Sequence, residues 1–93
     1  MSTKEKQIDR LKSLPNDYTF KEAKTLAEKL GYSTQNKGST SGSRVMFIKN
    51  IYNDKGELQN VLKIMLHKPH PGDIMKLYAV KDFLYALERN GDI

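Results

Sequence analysis

Apolar residues recur at Ile8, Leu11 and Leu14 with charges between them. This spacing predicts a short amphipathic helix over residues 4–14, ended by Leu14-Pro15-Asn16-Asp17. A stronger pattern follows. Phe20, Ala23, Leu26, Ala27 and Leu30 fall within about a third of the helical circle, which predicts a helix over 20–30 with one buried face. Thr19 and Glu22 are spaced as a capping box, each side chain answering a backbone N–H that the helix start leaves open. Gly31 stands where a left-handed helix end belongs.

The period then changes from the helical one to alternation. Tyr32 to Asn36 reads as a short strand, Arg44 to Tyr52 as a strand rich in β-branched and aromatic residues, and Gln59 to Lys68 as its hairpin partner across the turn Asn53-Asp54-Lys55-Gly56. In the last strand Leu62, Ile64 and Leu66 share one face. Val61, Lys63, Met65 and His67 share the other, so only one side of the sheet is uniformly apolar. After Pro69-His70-Pro71-Gly72, a final helix over 78–89 carries Val80, Phe83, Leu84 and Leu87 on one side, with Gly91 beyond it. The order α-α-β-β-β-α predicts an α+β domain: a three-stranded antiparallel sheet with its helices on one face. The expected core is Phe20, Leu26, Leu30, Phe47, Leu62, Ile64, Val80, Phe83 and Leu87, with Tyr18, Tyr32 and Tyr52 at its edges.

Length and composition narrow this further. Ninety-three residues make a single domain, and 38% hydrophobic with 29% charged residues is the balance of a folded, soluble chain. There is no cysteine, which excludes disulfide scaffolds, thiolate metal sites and cysteine nucleophiles and suits a reducing cytoplasm. No run approaches the roughly 20 apolar residues of a membrane span, and no signal-peptide stretch opens the chain. A soluble cytoplasmic protein is expected.

The charge is unevenly placed. Residues 1–50 hold ten Lys/Arg against five Asp/Glu, whereas residues 51–93 hold six of each. Between Lys29 and Asn53 stand Lys29, Lys37, Arg44 and Lys49 and no acid at all. Local basicity of this kind suits a polyanion or an acidic protein partner; a merely solvating surface would look the same.

Few motifs carry chemistry. The loop Gly38 to Ser43 lacks the Lys-Ser/Thr close of a P-loop and enters no helix. Its small residues beside Lys37 and Arg44 permit close approach to phosphate, or simply connect two strands. His67 and His70 are the only imidazoles, and neither a cysteine nor an obvious third ligand accompanies them, so no metal is expected. Acid–base work suits a histidine better, since it exchanges protons near neutral pH. No serine sits in a nucleophile elbow.

Taken together, the capped helix ending Leu30-Gly31-Tyr32, then Lys37-Gly38-Ser39, Gly42-Ser43-Arg44-Val45-Met46-Phe47, and His70-Pro71-Gly72 with Lys76 before a terminal helix, make a sequence that resembles the HicA family. These are small RNA-cleaving toxins of bacterial type II toxin–antitoxin operons. The likeness spans about residues 18–90, and residues 1–16 would then be a helical extension ahead of a HicA-like core over 17–93. It implies a fold like the double-stranded-RNA-binding domain, metal-independent mRNA interferase activity without a small-molecule cofactor, mRNA as substrate and a HicB-type antitoxin as partner. HicA toxins usually place a histidine directly after a Gly-Ser pair. Arg44 stands there instead, and a guanidinium holds phosphate but does not act as a base. His70 becomes the expected proton-transfer residue, with Lys37, Ser43, Arg44, Lys49 and Lys76 expected to hold RNA. Two further readings stay open: an RNA-binding module without catalysis, and a protein-interaction domain with a basic face.

Overall fold

Thr19 begins the best-defined helix. Its hydroxyl accepts the Glu22 N–H at 3.1 Å, and the Glu22 carboxylate accepts the Thr19 N–H at 3.2 Å, completing the capping box. The computed structural model describes residues 4–35, 44–69 and 72–93. Its elements are α1 (Lys4–Lys12), α2 (Phe20–Lys29), β1 (Ser33–Gln35), β2 (Arg44–Tyr52), β3 (Leu58–His67) and α3 (Leu77–Arg89). The strands form one antiparallel sheet in the order β1-β2-β3, so the fold is α+β with the element order read from the sequence.

The alternation of β2 and β3 decides which way the sheet faces. Val45, Phe47, Ile64 and Leu66 are buried, and they join Leu11, Phe20, Ala23, Leu26, Ala27, Val80, Phe83 and Leu87 from the three helices in one cluster. Their neighbours Arg44, Asn50, Lys63, Met65 and His67 are exposed on the other face. Burying a Leu or Phe side chain stabilises by about 1.5–3 kcal/mol, so this one-sided pattern fixes the strand register against a one-residue slip.

Some expectations shift. The first helix ends at Lys12, because Leu14 before Pro15 adopts a positive φ of 50° and turns the chain. Leu11 of that helix is fully buried, so the N-terminal segment is part of the core. Tyr18 and Tyr32 lie in the core at 1% and 3% exposure, whereas Tyr52 is exposed and Leu30 and Leu62 are half-buried.

Met75 is a further core residue, and no helical or strand period marks it. Local pairing puts it there. The segment before α3 runs antiparallel to the start of α2, with a bridge between Thr19 and Ile74. Phe20 N–H donates to the Asp73 carbonyl at 2.7 Å, and Met75 N–H donates to the Tyr18 carbonyl at 2.8 Å. The Asp73 carboxylate also accepts the Lys21 N–H at 3.2 Å. The first three amides of α2 are thus satisfied by Asp73 twice and Thr19 once.

Candidate nucleic-acid interface

Parity brings the site together. In an antiparallel pair, residues directly opposite each other point to the same face, with Cβ atoms about 4.5–5.5 Å apart. Arg44 is opposite His67, Met46 opposite Met65, Ile48 opposite Lys63 and Asn50 opposite Val61. All eight project from the face that the helices leave uncovered. Arg44 and His67 close this row at the end of the β2–β3 ladder, and both are exposed.

Beside His67 opens a cleft of about 510 Å³ between the end of β3 and the start of α3. His67, Lys68, Lys76, Tyr78 and Asp82 supply its polar lining, and Met65, Pro69 and Ile74 its apolar floor and rim. The Asp73 clamp on α2 fixes the chain leading into Lys76, which is the N-cap residue of α3 with extended φ and ψ of −69° and 151°. No side chain caps this helix start, and its first turn holds no acid. The positive end of the helix dipole therefore adds to the Lys76 ammonium. Among the described residues Arg44, Lys68 and Lys76 form no ion pair, so their charge is available to a ligand. Asp82 is the one carboxylate that lines the cleft.

Lys49 belongs elsewhere. Five positions after Arg44 on the same strand, it points to the helix side of the sheet. Its ammonium pairs with the Asp92 carboxylate, donates to the Leu30 carbonyl at 3.1 Å and lies 4.8 Å from the Tyr32 ring centre. The acid-free stretch of sequence is thus divided between two faces, and only Arg44 of the pair reaches the open one. His70, Lys37 and Ser43 lie outside the described residues.

Comparisons of the chain with protein-family models, with curated proteins and with solved structures return no match. The chemistry of the site therefore rests on its own residues.

A second cleft, of about 370 Å³, lies between α1 and α2 and is lined by Lys6, Gln7, Arg10, Tyr18, Lys21, Glu22 and Thr25. Its central charges are engaged with one another. The Arg10 guanidinium forms a forked ion pair with Glu22, reaches the Asp17 carboxylate at 3.2 Å and stands 5.8 Å from the Tyr18 ring centre. That fork holds the Glu22 carboxyl below its usual range, and burial pushes the Tyr18 phenol up. This cleft is a structural joint.

Among the described residues no group of three metal-ligating side chains converges, and no helix is long and apolar enough to cross a membrane. Sequence reasoning passed over His67 as an exposed strand residue and did not single out Lys68 or Tyr78. The hairpin itself was a partial signal. That signal was incomplete: Tyr52 stands opposite Leu58 at the turn, and a β-bulge between Ile51 and Tyr52 shifts the pairing by one, so only with the bulge does Arg44 fall opposite His67 instead of Leu66.

Proposed function

We propose that this chain is a HicA-like toxin that binds RNA through the open end of its sheet and the adjoining cleft. One observation carries the reading. Arg44 of β2 stands opposite His67 at the end of β3, and His67, Lys68 and Lys76 line a cleft beside them whose lining, among the described residues, holds a single acid. Guanidinium and ammonium groups there suit phosphate oxygens, and exposed Tyr78 offers a ring on which an unpaired base can stack. Lys37 and Ser43 would join this surface from the β1–β2 connection, as the HicA resemblance implies.

A HicB-type antitoxin is the proposed partner. Met65, Tyr78 and Tyr85, at 50%, 63% and 70% exposure, form an apolar flank beside the basic groups and suit a protein that covers the RNA surface. Co-expression with the product of an adjacent gene should yield a complex whose formation releases bound RNA.

RNA affinity measured across a salt series tests the reading. Wild type should weaken steeply with salt, and Arg44→Ala and Lys76→Ala should each lower the log–log slope by about 0.7–0.9. Lys24→Ala, on the exposed side of α2, should bind more nearly as wild type does. Absence of RNA binding at low salt, or binding insensitive to salt, overturns it.

A further inference from the structure

The row of residues on the uncovered sheet face ends in an imidazole placed directly across from a guanidinium, both carried on strands. We infer that His67 is a catalytic residue, the base that takes the 2′-hydroxyl proton when RNA held by Arg44 is cleaved. The inference rests on the HicA-like, RNA-binding reading above and names the residue of this chain that carries the cleavage.

Geometry singles out His67. Its Cβ stands at cross-strand distance from that of Arg44, so a phosphate gripped by the guanidinium is presented to the imidazole. The same side chain lines the cleft with Lys68 and Lys76, which places it between two phosphate-holding elements. Ladder pairing on β2 and β3 fixes both backbones, which a general base needs more than a charge contact does. Among the described residues the imidazole has no hydrogen-bond or ion-pair partner, so its nitrogens are open to a ligand. The charged groups that face it are Arg44 across the ladder, Lys68 beside it, and Lys76 and Asp82 from the α3 side.

RNA supplies its own nucleophile, so the site needs no serine or cysteine. His67 removes the proton from a ribose 2′-OH. The freed oxygen attacks the adjacent phosphorus, and the P–O5′ bond breaks with its electron pair passing to O5′. That oxygen takes a proton from water, and the imidazolium returns its proton to the resulting hydroxide. The products are a 2′,3′-cyclic phosphate and a 5′-hydroxyl end. Arg44 offsets the charge that grows on the phosphoryl oxygens, where preorganised donors act most strongly.

The test uses the full chain without antitoxin, a structured RNA, and end-group analysis of the products, with affinity and circular dichroism measured on the same samples. Wild type should give cyclic-phosphate ends. His67→Gln and His67→Ala should lose about 10²–10⁴ in rate while RNA affinity stays within about twofold and the fold is unchanged. Added imidazole should partly restore His67→Ala, and the acid limb of the wild-type pH–rate profile should vanish in His67→Gln. Those last two readouts would not respond to a merely structural histidine. Cleavage by His67→Ala at the wild-type rate overturns the inference, as does wild type that binds RNA and leaves it intact; RNA binding then survives as the function. Wild type that binds no RNA at low salt overturns both.

Discussion

Lys49 and Asp92 pair across 43 residues of sequence, joining the middle of the sheet to the chain beyond α3. Their side chains are only 18% and 4% exposed. The Tyr32 hydroxyl donates to the second Asp92 oxygen at 2.6 Å and accepts from the Asn90 amide at 2.9 Å, so the carboxylate is held from two sides. Gly31 completes the arrangement. Its φ of +100° suits glycine, and a Cβ there would stand 3.0 Å from Cδ of Lys49.

Removing one partner of such a pair leaves the other charged in a poorly solvated place. Asp92→Ala should therefore cost about 3 kcal/mol in urea unfolding. Lys49→Met combined with Asp92→Asn should recover most of that loss, because neither residue then carries an uncompensated charge. A double variant no more stable than Asp92→Ala would show that the pair acts through something other than charge.

Alkaline pH should unfold the domain through its buried phenols. Burial pushes Tyr18 and Tyr32 up, and hydrogen bonding to the Asp92 carboxylate raises Tyr32 further. Both stay neutral in the folded chain while unfolded tyrosine ionises near pH 10. Stability is thus full below about pH 10 and falls as pH rises above it. Tyr32→Phe should flatten this decline in denaturant titrations at several pH values.

On the acid side, Arg10 matters. Its forked bond holds Glu22 low, so that contribution is present above about pH 4.3 and is lost as pH falls through the carboxylate range. Arg10→Ala should cost about 1 kcal/mol and speed hydrogen exchange in α1 more than in α3. Arg10→Lys should not repair it, since an ammonium cannot span both Glu22 oxygens and Asp17 together.

His70→Ala provides a separate check on the proposed chemistry. With His67 as the base and water reprotonating O5′, His70→Ala should cleave near the wild-type rate; a loss of about 10²–10⁴ at unchanged fold and RNA affinity would make His70 a proton-transfer group as well. A bell-shaped pH–rate profile that each histidine variant reduces to one limb would assign one acid and one base. Equal rates in wild type and His70→Ala would remove His70 from the mechanism.

Much of the fold was legible because local and periodic signals agreed. Thr19 with Glu22 announced the start of α2, and the β-branched and aromatic content of Arg44 to Tyr52 gave β2 with its observed limits. Met75 and the full burial of Tyr18 were not legible, since both depend on the bridge between Thr19 and Ile74, which no local pattern encodes. The site was harder. Charge density suggested that Arg44 and Lys49 act together, but an odd separation on a strand sends the two side chains to opposite faces, and Asp92 claims the second. The pairing of His67 with Arg44 was not legible either, because it depends on the β-bulge between Ile51 and Tyr52, without which Leu66 would stand opposite Arg44.

The attachment of Asp73 to the first turn of α2 has a consequence for how the cleft meets a ligand. The chain leading to Lys76 cannot swing outward without also exposing the Phe20 and Lys21 amides. Ordering a free loop costs about 1–2 kcal/mol of entropy per residue, and here that cost falls on folding, before any ligand arrives. A ligand therefore meets a wall already in place. Its affinity should vary with the number of charges it presents and little with temperature-dependent loop closure. The Phe20 and Met75 amides should open to exchange together, as one cooperative unit that couples the start of a helix to the floor of the cleft.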